Sequence, residues 1–198
     1  MRNSDLSPKL YLVRHGETTW SLSGQHTGRT DIALTEQGKH AAQELKARLQ
    51  GLSFAKIFIS PLQRAQQTGE LAGFAQSAEL DPDLMEWDYG DYEGMRTVDI
   101  QARHPGWSLF KDGSPGGETL QEVAIRAERV IARVRALEGD VLLFAHGHIL
   151  RVITARWIDL PALEARRFYI ATASVSILGY DHNLNEPVIH LLNDTRRK

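Results

Sequence analysis

With 198 residues, 42% hydrophobic and 24% charged, the chain has the length and balance of one ordinary globular domain, residues 1–198, with an ample core. A formal charge of −2 predicts no polyanion-binding surface and therefore no nucleic-acid partner. The absence of cysteine excludes disulfides, thiolate metal sites and a cysteine nucleophile.

In chain order, the first ten residues, MRNSDLSPKL, lack the apolar stretch of a signal peptide. No apolar run approaches membrane-spanning length, so a cytoplasmic protein with no membrane partner is expected. LYLV (10–13) reads as a strand. Residues 36–50 read as a helix, with Leu45 and Leu49 one turn apart. KIFIS (56–60) is a second strand. Ser60 then reads as an N-cap with Pro61 at the first helical position, opening a helix to about Ala72. The stretch 87–117, rich in Gly, Trp and Tyr, has no clear period and reads as an excursion. TLQE (119–122) is a capping-box pattern. Behind it Leu120, Val123, Ala127, Val130, Val134 and Leu137 mark one face of a long helix. VLLFA (141–145) is a third strand, followed by a helix through Ile149, Val152 and Ile153. SVSILGY and PVIHLL flank DHNLNE (181–186) as a terminal hairpin. This strand–helix alternation predicts an α/β fold: three α/β/α layers around a largely parallel central sheet, with the site beyond the carboxyl ends of its strands.

Two of the strands, YLVRHG and VLLFAHG, end in His-Gly, at His15 and His146. If they are parallel neighbours, both imidazoles stand on one sheet edge. Gly16 and Gly147 let the chain turn sharply and bring backbone close to a ligand. SPLQRAQQT places Arg64 in the first turn of a helix, whose N-terminus attracts anions. Arg14, Arg64, His15 and His146 then converge as a pocket for a dianion, with phosphate the first candidate. The H-x-H pair His146 and His148 also admits a metal reading, but the chain lacks the further ligands that would accompany it.

These residues carry a family resemblance. LVRHGETTW (12–20), TGRTDIALTEQG (27–38), SPLQRAQQT (60–68), EWDYGDYEG (86–94), GGETLQE (116–122) and LLFAHGHILR (142–151) occur in the order found in the histidine phosphatase superfamily, which they resemble over nearly the whole chain. The resemblance implies a phosphoglycerate-mutase-like fold, no cofactor or metal, and phosphorylation of His15. Arg14, Arg64 and His146 would hold the phosphoryl oxygens. It makes Glu86 the proton donor, and later the base for water. The apolar flanks Met85 and Trp87 would favour a raised pKa if they enclose that carboxyl. Glu17, Asp88, Asp91 and Glu93 are the rival carboxylates, with Glu17 better suited to orienting its turn. Thr27 and Gly28 match a loop that contacts phosphate through backbone and hydroxyl. Ser21 stands where the family usually has Asn and keeps one hydroxyl donor for phosphate.

A phosphatase, a cofactor-dependent phosphoglycerate mutase and a non-catalytic phosphate-binding module are the alternatives. EWDYGDYEG is of phosphatase type, the segment from Glu86 to His146 is short, and His15, Arg64 and Glu86 are all present. The expected partner is a small phosphorylated metabolite, bound by a monomer or homo-oligomer. Further details resemble the sugar-bisphosphatase branch, whose known substrate is sedoheptulose 1,7-bisphosphate. There the positions matching His26, Thr27, Tyr89, Arg151 and His182 contact substrate, and the terminal hairpin would carry His182 over the pocket mouth. Read singly, Arg151 and His182 are exposed residues of a helix and a turn. Alpha-ribazole phosphatase is the alternative of similar size. His40, His104 and His190 are assigned to surface or structure.

Overall fold

The computed structural model describes residues 7–196; most of the amino-terminal stretch read above, residues 1–6, lies outside them. Six strands form one sheet: β1 (Leu10–Arg14), β2 (Lys56–Ile59), β3 (Ala78–Leu80), β4 (Val141–Ala145), β5 (Val175–Tyr180) and β6 (Pro187–Asp194), in the order β3-β2-β4-β1-β5-β6. The four strands β3, β2, β4 and β1 are parallel. β5 runs antiparallel to β1, and β6 antiparallel to β5. The sheet is thus α/β and mostly parallel, as the alternating pattern requires.

Side chains of successive strand residues go to opposite faces. Leu10, Leu12, Phe58, Leu143 and Ala145 join one core with α6 (Leu120–Arg135) and α7 (Gly147–Trp157). Tyr11, Val13, Ile59, Leu142 and Phe144 join the other with α2 (Glu36–Leu49) and α3 (Gln63–Leu71). That is why LYLV and VLLFA are continuously apolar: both faces of these strands are covered. The capping box is present at α6, where Thr119 Oγ1 accepts from Glu122 N and Glu122 accepts from Thr119 N. β3, a short and half-exposed edge strand, has no sequence signal.

One boundary differs from expectation. Ser60 does not cap α3, which begins at Gln63 after an N-cap Leu62 with no side-chain cap bond. The free amide of Gln63 instead donates to Asp31 Oδ1 at 2.8 Å, a cap delivered from a distant loop. Ser60 is thereby released for another use.

Register fixes where the strands deliver their ends. Arg14 lies opposite Ala145, so His15 and His146 leave the same edge side by side. The excursion passes over this edge through two short helices, α4 (Thr97–Arg103) and α5 (Leu109–Asp112), which sit on buried Trp87, Tyr89, Trp107 and Phe110. Among the described residues, α1 (Thr19–Ser23) completes the α-helices. β5 begins opposite Val13 and has reached Leu10 by Leu178. The hairpin turn 181–186 therefore lies at the amino edge of β1, the far side of the sheet.

Candidate active site

His15 is buried, 3% exposed, at the end of β1. Its Nδ1 hydrogen-bonds the Gly16 carbonyl at 2.6 Å, which places the ring proton there. Nε2 has no protein partner, and the ring lines a cavity of about 230 Å³. Burial, then the neighbouring Arg14 and Arg64 guanidiniums, hold its pKa well below 6.5, so the ring is neutral at pH 7. Arg14 also lines this cavity. Its Nη1 donates to the Ile170 carbonyl at 2.6 Å, while its buried Nε has no hydrogen-bond partner. An orphan N–H on a cavity-lining cation is a donor waiting for an anion. Gly147, the first residue of α7, allows this arrangement: a Cβ there would stand 3.3 Å from Arg14 Cζ.

Arg64 and His146 meet but lie beneath the cavity, both 0% exposed. Arg64 donates through Nη2 to the carbonyls of Thr27 and Gly28 (3.1 and 2.7 Å) and through Nη1 to that of Thr30 (2.9 Å). Its Nε donates to His146 Nδ1 at 3.1 Å. His146 must then carry its proton on Nε2, which donates to Ser60 Oγ at 2.7 Å. Both ring nitrogens of His146 are thus occupied, and any phosphoryl oxygen reaching them competes with Ser60 or Arg64. Ser60, read as a helix cap, is part of this supporting layer.

Glu86 is buried, 4% exposed, yet lines the cavity. It is held by backbone: Oε1 accepts from Trp87 N (3.0 Å) and Ile149 N (2.9 Å), and Oε2 from His148 N (2.9 Å). Two of these donors belong to the first turn of α7, so the carboxylate also serves that helix end. What meets its oxygens is three N–H groups rather than the apolar flanks Met85 and Trp87. The rivals are occupied elsewhere. Glu17 accepts from Thr35 Oγ1 at 2.8 Å and ties its turn to the start of α2. Asp88 accepts from Gly90 N, and Glu93 from Gly28 N and Thr30 N. Asp91 is exposed.

The remaining predicted contacts divide. Thr27, His26, Tyr89, Gly147, Arg151 and Ser21 all line the cavity. Burial lowers the pKa of His26 to about 4. Arg151 spends Nε on the Ala165 carbonyl (3.0 Å) and Nη2 on that of Arg166 (2.9 Å), leaving Nη1 without a protein partner. Ser21 departs from its expected role: its hydroxyl accepts from Thr18 N (2.9 Å) and donates to Thr18 O (3.0 Å), closing a capping box at α1. Gly28 departs as well. It lies behind the wall with its N–H committed to Glu93 at 2.8 Å, and a Cβ would sit 2.5 Å from the Trp87 carbonyl oxygen. His182 is not brought to the site at all. It is on the hairpin turn at the opposite sheet edge, paired with Glu186 and Asp181. The antiparallel run of β5 is the reason.

Residues 10–195 match the family model of the histidine phosphatase superfamily, branch 1. The chain belongs to that superfamily. An acid phosphatase of Mycobacterium tuberculosis is 40% identical, the match covering 90% of this chain and 89% of the relative. The sedoheptulose 1,7-bisphosphatase of Saccharomyces cerevisiae is 33% identical over 94% and 93% of the two chains. The solved structure of an open-reading-frame product of M. tuberculosis superposes with a TM-score of 0.88 at 36% identity, covering 94% of this chain and 97% of that one. The protein is thus a histidine phosphatase-type enzyme that hydrolyses phosphate esters, with a phosphoglycerate-mutase-like fold.

Sequence reasoning missed five residues that line this phosphatase's cavity: Gly24, Gln25, His148, Tyr169 and Ile170. His148 was legible only as the second half of H-x-H, which on a helix start points its two side chains to different places. His146 goes down to Ser60 and Arg64; His148 goes to Tyr89, whose hydroxyl lies 2.6 Å from its Nδ1. Among the described residues, the one grouping with metal-ligand spacing is the exposed Asp181, His182 and Glu186, remote from both. Tyr169 and Ile170 come from an irregular segment that carries no motif.

Proposed function

We propose that the protein hydrolyses small phosphomonoesters in two steps through a phosphohistidine on His15, as one domain that requires neither metal nor cofactor. The observation that carries this reading is the state of His15: Nδ1 is tied to Gly16, Nε2 has no protein partner, and the ring lines the cavity together with Arg14, whose buried Nε is unpaired. In the first step the Nε2 lone pair attacks phosphorus and the P–O ester bond breaks. Glu86 protonates the departing alkoxide. Oε2 suits that task, because it accepts one backbone N–H whereas Oε1 accepts two. In the second step water attacks the phosphohistidine, gives its proton to Glu86, and the P–N bond breaks to release phosphate. Arg14 and the Gly147 end of α7 take the charge on the phosphoryl oxygens. Arg64 and His146 hold the loop 27–30 and the floor beneath His15, and Arg64 adds positive charge.

For the substrate, we favour a sugar phosphate with a second anionic group, such as sedoheptulose 1,7-bisphosphate. One phosphoryl group occupies Arg14 and His15, and a second needs a separate cation. Arg151, with Nη1 free at the cavity wall, is that cation. The similarity to the yeast bisphosphatase supports the same choice. The test is covalent labelling. Wild type mixed with a 32P-phosphoester and quenched without acid is expected to carry label, and His15→Ala none. Label persisting in His15→Ala, or activity abolished by EDTA and restored by a divalent ion, would overturn the reading.

A further inference from the structure

We propose that His148 is a specificity-determining residue, whose Nε2–H donates to a hydroxyl or carbonyl oxygen on the substrate carbon next to the scissile ester, and that Tyr89 fixes it in that role. The favoured substrates are then phosphomonoesters of oxygen-rich alcohols rather than of plain alkyl or aryl alcohols. This rests on the reading of His15 and Glu86 given above and specifies what the alcohol half of the substrate must carry.

The geometry supplies the reasons. His148 lines the cavity with its side chain 22% exposed. Its Nδ1 is 2.6 Å from the Tyr89 hydroxyl. Tyr89 is buried, and burial followed by the nearby Glu86 charge holds its pKa well above 10, so its O–H keeps the proton; with His148 Nδ1 its one hydrogen-bond partner among the described residues, that buried O–H donates there. A ring whose Nδ1 accepts carries its hydrogen on Nε2, and Nε2 has no protein partner. Glu86 Oε2, Arg14, Arg151 and His26 also face this ring. Burial, then Arg151, His26 and Arg14, hold it neutral. A neutral N–H donor matches a neutral oxygen better than a phosphate, for which the same cavity offers guanidiniums. Position completes the case. His148 Nδ1 is 3.8 Å from Glu86 Oε2, the oxygen proposed to protonate the leaving group. A donor one ring-width from the ester oxygen meets the neighbouring carbon's substituent.

The Tyr89 bond has a second effect. Without it, Nδ1 would be free beside Oε2 and available for the proton that Glu86 must deliver. Tyr89 therefore acts through His148 as a positioning residue.

The experiment compares kcat/KM for glycerol 3-phosphate and for propyl phosphate, which lacks the neighbouring hydroxyls. Wild type is expected to prefer glycerol 3-phosphate by about tenfold, the effect of one hydrogen bond and an otherwise unpaired donor. His148→Leu should bring that ratio to near one. His148→Gln, which restores an N–H close to the Nε2 position, should recover most of it and guards against misfolding of the Leu variant. Tyr89→Phe should reduce the ratio and shift the acid limb of its pH profile upward as His148 becomes easier to protonate. A ratio unchanged in both His148→Leu and Tyr89→Phe would overturn the proposal. Failure of the two-step reading itself would show differently: wild type would leave both phosphates intact and His15 unlabelled.

Discussion

The two edges of the sheet hold histidines in opposite conditions. At the carboxyl edge His15, His146 and His148 are enclosed among Arg14, Arg64 and Arg151, and burial with those cations pushes their pKa values well below 6.5. At the amino edge His182 stands in solvent beside Glu186 and Asp181, and their carboxylates push its pKa up. One residue type is therefore held neutral in one place and favoured in its charged form in the other. Desolvation and the sign of the neighbouring charge make the difference. In the proposed mechanism the neutral His15 attacks because the fold has buried it among cations, whereas strand direction puts His182 on the opposite edge.

The largest effect that would break this contrast comes from Glu86. Glu86→Gln should slow hydrolysis of alkyl phosphates by roughly 10²–10⁴-fold. An aryl phosphate, whose leaving group needs little help, should lose less and show a burst of about one phenol per enzyme as the second step becomes limiting. Equal losses on both substrates without a burst would move the acid role to another carboxyl. The amide also places an NH₂ against a backbone N–H of His148, Trp87 or Ile149, so the thermal midpoint should be measured alongside.

Next in size is the second cation. Arg151→Met should lower kcat/KM for a sugar bisphosphate by about 10- to 100-fold, mostly through KM, and lower it less for the matching monophosphate. Equal responses would mean that Arg151 serves only to hold the segment 165–166.

The third test is stability against pH at the carboxyl edge. The buried histidines have native pKa values below the unfolded value of about 6.5. As pH falls through 6.5 the unfolded chain takes up protons that the native state refuses, so stability is full above that pH and declines below it. Each such histidine contributes a slope of up to about 1.4 kcal/mol per pH unit. The urea midpoint should fall between pH 7.5 and pH 5.5; a flat profile would show that the native rings take up protons as readily as the unfolded chain.

The smallest effect belongs to the amino edge. His182→Ala should leave kcat/KM within about twofold on mono- and bisphosphates alike. Its stability effect has the opposite sign of pH dependence. A pKa raised on folding gives stability that is present below about 6.5 and lost as pH rises through the native value. A small drop in thermal midpoint at pH 5 and none at pH 9 is expected. A bisphosphate-specific rise in KM would place the turn at the cavity after all.

Much of the fold and the core of the site were legible because local chemistry sufficed to indicate them. Continuous apolar runs require cover on both faces, Thr119 and Glu122 require a helix start, and two strands that end in His-Gly require one busy edge if they are neighbours. The sequence by itself thus determined the α/β architecture, the gathering of Arg14, His15, Arg64 and His146, and the absence of thiol chemistry, while Glu86 was named through the family resemblance. Tertiary structure alone decided how those groups divide their work. It sent Arg64 and His146 beneath the cavity, turned Ser60 from a cap into the partner of His146, and spent the Ser21 hydroxyl and the Gly28 amide inside the protein. It also brought Tyr89 to His148 and carried His182 away. For Arg64, His146, Ser60, Gly28 and Tyr89 the physical reason is the same: a hydrogen-bonding group takes the partner that folding brings within about 3 Å, and such partners, dozens of residues apart in the chain, leave no periodicity or motif from which to read the pairing; Ser21, paired with Thr18 three residues away, and His182, displaced by strand direction, are the exceptions.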